Sequence, residues 1–112
     1  MAYMNQVSTS NGTTDVTILA APAADTSRTV NAGGINITNL DTAQIVVTLQ
    51  VNNNGTDVVL ENGITLEAGE SWSNDKNIYC LDATTQTLEI YLGGAVTATE
   101  ADIFVMYRDE AQ

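Results

Sequence analysis

The sequence predicts an all-β fold, a small antiparallel β-sandwich or jelly roll of about seven or eight strands. Three observations carry that expectation. Apolar residues recur at period two, as where Ile45, Val47, Leu49 and Val51 alternate with Val46, Thr48 and Gln50. Turn signals built on Asn and Gly punctuate the chain at short intervals. Thr, Val, Asn and Gly recur too often for any helix longer than about two turns.

The elements follow in order. Residues 15–21 form a first strand rich in β-branched side chains, ended by Pro22, which cannot donate a ladder hydrogen bond. A loop leads to a short strand at Thr29 and Val30, then to a turn at Asn31, Ala32, Gly33 and Gly34. Ile35, Ile37 and Leu40 mark the next strand. Residues 45–51 are the clearest strand of all, and the Asn54-Gly55 pair after them favours a type I′ hairpin into a returning strand at 56–60. Glu61-Asn62-Gly63 repeats the turn signal before a short strand at 64–66, and residues 67–70 make a tight connection. Strands at 76–81, 87–92 and 102–107 complete the set, with a connection at 95–100 in which residues 98–101 have the composition for one helical turn. The expected organisation is a flexible N-terminal arm at 1–14, a β-sandwich domain at 15–108 and a polar C-terminal tail at 109–112.

Composition narrows the function. In 112 residues there are 3 Lys+Arg against 14 Asp+Glu and no His, a formal charge of -11. Arg28, Lys76 and Arg108 are too few and too scattered to neutralise a run of phosphates, so neither nucleic acid nor an anionic membrane is an expected partner. Without histidine, the neutral-pH proton shuttle and the Ser-His or Cys-His nucleophile are unavailable. Glu67 and Glu70 would need a substantial cleft to act as an acid–base pair. Asp41, Asp57, Asp75 and Asp82 are acidic turn residues that can gather Ca²⁺ only if loops converge, and no linear calcium loop is present. No catalytic, cofactor or metal site is therefore expected, and the chain reads as a non-enzyme.

Cys80 is the sole cysteine, which excludes an intrachain disulfide; between Tyr79 and Leu81 it reads as a small buried hydrophobe. Residues 1–11 have neither a basic region nor an apolar core, so no secretory signal is expected. No run of 18 apolar residues occurs. The acceptor patterns at Asn11, Asn36 and Asn54 read as products of Asn and Thr richness. Contact is the remaining route to function. Tyr3, Met4, Trp72, Tyr91, Phe104, Met106 and Tyr107 are the candidate interface residues, because aromatics and Met supply area at moderate ordering cost. Trp72 reads as a core or subunit-contact anchor, with a sugar-stacking platform as the alternative.

Ile35 to Val51, with Asn39 before Asp41-Thr42-Ala43, then Leu66-Glu67-Ala68-Gly69-Glu70-Ser71-Trp72, Leu88-Glu89-Ile90-Tyr91 and the closing Val105-Met106-Tyr107-Arg108-Asp109-Glu110, resembles the small β-sandwich virion structural proteins of tailed bacteriophages. The resemblance implies a capsid decoration protein on the outer capsid surface of the virion, a self-associating trimer bound to the major capsid protein and made in the host cytoplasm. Alternatives are a head–tail, tail or fibre component and a carbohydrate- or receptor-binding β-sandwich module.

Overall fold

A computed structural model of the chain describes residues 2–93 and 101–112. The connection expected at 95–100, and all but the last residue of the turn expected at 98–101, lie outside the described residues. Among the described residues there are ten strands: β1 (Met4–Ser10), β2 (Val16–Leu19), β3 (Thr26–Val30), β4 (Ile35–Asn39), β5 (Ile45–Asn53), β6 (Thr56–Leu66), β7 (Ser71–Ser73), β8 (Tyr79–Leu81), β9 (Gln86–Gly93) and β10 (Ala101–Ala111). All pairings are antiparallel.

The strands form two sheets. In the first, β10 pairs with β1 along one edge and with β4 and β3 in succession, and β7 and β8 lie beyond those. Ile37 opposite Trp72 and Thr29 opposite Cys80 keep one register, so β3 and β4 act as one interrupted strand and β7 and β8 as another. The second sheet has the order β2-β9-β5-β6. Counting the interrupted pairs once gives two four-stranded layers with jelly-roll connectivity, as the sequence predicts.

The period-two pattern places the core between the layers. Ile35, Ile37, Ile103 and Val105 face Val47, Leu49, Leu88, Ile90 and Leu92, all fully buried. Each such side chain contributes about 1.5–3 kcal/mol relative to exposure. Asn54 (φ 53°) and Gly55 (φ 90°) both take the positive φ that a type I′ hairpin demands.

Several expectations shift in detail. The chain does not reverse at Glu61-Asn62-Gly63: β6 runs through to Leu66, and the extra residues are absorbed as irregularities opposite Val47, Leu49 and Gln50. The long partner β5 holds the ladder together, and a turn signal inside a paired strand becomes a bulge. Cys80 is exposed, while Leu81 is buried and Tyr79 packs against the core. The strand phase there is one residue from the expected one, which exchanges the faces of every side chain. Residues 4–10, expected within the arm, form β1, and β10 continues to Ala111 to pair with β3.

Buried polar residues fix the loops. Asn39, fully buried, donates from Nδ2 to the Ala43 and Leu66 carbonyls and accepts from the Asp41 amide. Asn74 accepts from the Ile35 amide at 2.8 Å and donates to the Asn31 and Asn77 carbonyls. It thereby substitutes for the ladder where β3 gives way to β4 and β7 to β8.

Candidate assembly surfaces

The edges of the sandwich follow from the topology. β1 packs beside β2, and β6 beside β7, so each side of the molecule ends in one strand from each sheet. β1 and β6 belong to opposite sheets and opposite sides. Neither contains Pro or Lys, two residue types that commonly blunt sheet edges. β6 carries exposed Val58 and Val59 beyond its bulged segment.

The outer face of the first sheet is apolar near its centre. Phe104 and Met106 alternate with buried Ile103 and Val105, so they point outward, 43% and 40% exposed. Val7 is the register partner of Phe104 and is 68% exposed on the same face. Sequence reasoning missed Val7 because its neighbours in β1 are Asn, Gln, Ser and Thr, which give no apolar alternation.

The other candidate residues divide. Met4 is opposite Tyr107, and Tyr3 is exposed, its hydroxyl accepting a 2.6 Å hydrogen bond from Asn31 Nδ2. Tyr91 is half-buried. Tyr107 packs against the core, with the Arg28 guanidinium 4.5 Å from its ring centre. That guanidinium grips Asp109 through Nε to Oδ1 (2.8 Å) and Nη2 to Oδ2 (3.1 Å), and donates from Nη1 to the Ala20 carbonyl. The Asp109 hydrogen bond raises the Arg28 pKa above its ordinary value, against an opposing contribution from burial. One side chain thus ties β3, β10 and the segment after β2.

Trp72 shares a face with buried Ile37 and packs against the core at the mouth of the sandwich. A cleft of about 210 Å³ opens there, lined by Trp72, Glu61, Asn74, Asp75, Lys76 and Asn77. The indole packs against the core as an anchor while part of it lines the open cleft. The buried Tyr79 phenol lies nearby. Burial pushes it above its ordinary pKa, the Asn77 amide offsets part of that, and the Glu61 charge adds to it.

Of the four acidic turn residues weighed from sequence, the fold brings Asp57 alone into a group, with Asp15 and Glu89; their carboxylate oxygens lie within 4.8 Å of one another. Asp57 accepts from Asn52, and Glu89 from Thr87 and Gln50. Among the described residues no helix is long and apolar enough to cross a membrane.

No family model matches the chain, and no curated protein does. One solved structure, of a protein described in the words "Bacillus endospore appendages form a novel family of disulfide-linked pili", aligns over 98% of this chain and 85% of its own, with a TM-score of 0.55 and 20% identity. The shared feature is the fold. The similarity overturns the resemblance to phage virion proteins, and with it the capsid-decoration function, the major capsid protein as partner and the virion location. The motifs behind that resemblance are short hairpin signals that any acidic β-sandwich supplies, so they specify architecture without specifying the assembly it serves. What the fold does match is a structure from Bacillus endospore appendages.

Proposed function

We propose that the chain is a structural subunit of an extracellular, fibre-like appendage, built by repeated association of copies of itself. The observation that carries this reading is the pair of open edges, β1 on one side and β6 on the other, in a fold shared with an appendage protein over nearly the whole chain. A joint between two different surfaces generates an open filament whenever the rotation between copies does not close a ring. The outward patch of Val7, Phe104 and Met106 adds area for lateral contact.

One thiol per copy limits what covalent linkage can do. Cys80 can join two copies into a pair, but a continuous disulfide-linked chain requires at least two thiols in each copy. Continuity along the fibre therefore does not rest on disulfides between residues of this sequence. Negative-stain microscopy of the purified chain at physiological salt tests this, with filaments expected for both the native sequence and Cys80→Ser. A protein that sediments as a monomer at every accessible concentration overturns the reading.

A further inference from the structure

β1 contributes almost nothing to the core. Its inward residues are Gln6, Ser8 and Ser10, and its largest apolar side chains, Met4 and Val7, are exposed. The Ser8 and Ser10 hydroxyls are buried without a hydrogen-bond partner among the described residues. What holds the strand is the backbone ladder from Met4 opposite Tyr107 to Ser10 opposite Ala101, together with the Ala20 amide donating to Gln6 Oε1 at 2.9 Å. None of these contacts depends on β1 belonging to the same chain.

The surface beneath it is different in kind. β10 brings Ala101, Ile103 and Val105, all buried, to an edge that must pair with some strand. The link from β1 to β2 is the five-residue segment Asn11, Gly12, Thr13, Thr14 and Asp15, fastened by one backbone hydrogen bond from the Leu92 amide to the Gly12 carbonyl. Fully extended, five residues span roughly 17 Å, enough to carry the strand to a neighbour.

We propose that β1 is an exchangeable strand: the β10 edge of one copy accepts residues 4–10 of a second copy in the register β1 uses within its own chain. The exchange keeps the ladder and the Gln6 contact, so the closed and exchanged forms differ little in contact energy. Exchange of an identical element is a low-cost route to association. This deepens the fibre reading, and rests on it for the open, head-to-tail sense of the exchange.

The test uses the full chain with Cys80→Ser and one cysteine on each strand. Asn5→Cys with Met106→Cys places thiols on register partners, and Thr9→Cys with Asp102→Cys repeats the test at a second, solvent-facing pair should the first fail to fold. Copies are concentrated, scored for assembly by light scattering, oxidised and run on non-reducing denaturing gels. A ladder of covalent dimers and higher species that reduction collapses to monomer is expected, with the out-of-register pair Thr9→Cys and Met106→Cys linking at least tenfold less. Disulfides confined to monomers, or equal linkage by the out-of-register pair, overturn the exchange. If scattering shows large particles alongside monomer-only bonds, exchange falls and the fibre reading stands. Monomer-only bonds without assembly overturn both.

Discussion

Arg28→Ala removes a side chain that fastens β3, β10 and the segment after β2 together. Its carboxylate partner is engaged through both oxygens, at 2.8 Å and 3.1 Å, and the two side chains are 14% and 23% exposed. A charge-assisted fork of this kind contributes about 1.5–3 kcal/mol, above the range of a freely solvated surface pair. The stack on Tyr107 adds about 0.5–1 kcal/mol. Truncation should therefore cost about 2–4 kcal/mol, which for a domain of this size lowers Tm by roughly 10–20 °C. Urea unfolding followed by the fluorescence of the sole tryptophan, Trp72, at concentrations below assembly, gives the number. The coupling between Arg28→Ala and Asp109→Ala in a double-mutant cycle should be about 1–2 kcal/mol. A loss under about 1 kcal/mol for Arg28→Ala, or strict additivity in the cycle, would refute the assignment of Arg28 as a clamp and reduce it to a surface cation.

Three further outcomes are expected. Asn74→Leu strands the Ile35 amide and the Asn31 and Asn77 carbonyls, and should cost about 2–4 kcal/mol in the same unfolding assay. Tyr79→Phe should cost little at neutral pH, because the buried hydroxyl it removes has only the Asn77 amide beside it and no hydrogen bond of good geometry among the described residues. The folded phenol ionises above its ordinary value of 10.0, so the unfolded chain loses its proton first; stability is intact below that value and falls as pH rises toward the folded-state pKa. Urea midpoints measured through the alkaline range should show that fall in the native sequence and a shallower one in Tyr79→Phe. Finally, a subunit of charge -11 should assemble faster as salt rises. The Debye length shrinks from about 30 Å at 0.01 M to about 8 Å at physiological ionic strength, and stopped-flow scattering that is independent of salt would contradict an acidic self-assembling subunit.

The two-sheet core was legible in the sequence because burial on one face writes a period-two signal directly into the residues. Ile45 to Val51 and Leu88 to Leu92 carry that signal; the structure buries Ile45, Val47, Leu49, Leu88, Ile90 and Leu92 and half-buries Val51. The Asn54-Gly55 hairpin was legible for a local reason, since both positions need a positive φ. β1 was not legible. A strand held mainly by its backbone ladder leaves no apolar alternation, and Met4–Ser10 is polar on the face it turns inward. Cys80 was misplaced because Ile78 and Cys80 alternate as a core face would, yet Ile78 is 65% exposed and the ladder with β3 turns Tyr79 and Leu81 inward instead. Asn39 and Asn74 were visible as turn residues, but their bonds to backbone of distant strands depend on how the two sheets meet. The Asp15, Asp57 and Glu89 group is likewise a product of strand order, since it draws on three elements of the chain.

Acidity and open edges act in opposite directions on the self-association proposed above, and their balance sets when copies should come together. The open outer edges of β1 and β6 favour indiscriminate sheet extension, the hazard that natural sheets counter with Lys, Pro or a covering element. Here repulsion between copies of charge -11 supplies the restraint at long range, while the outward patch around Val7, Phe104 and Met106 supplies short-range attraction. Screening weakens the first and leaves the second intact. A strand that exchanges adds selectivity, because residues 4–10 meet β10 in one register and carry Gln6 to the Ala20 amide. In the proposed fibre, small size is made functional by repetition: the contacts that hold one copy's first strand would become the contacts that hold the next copy.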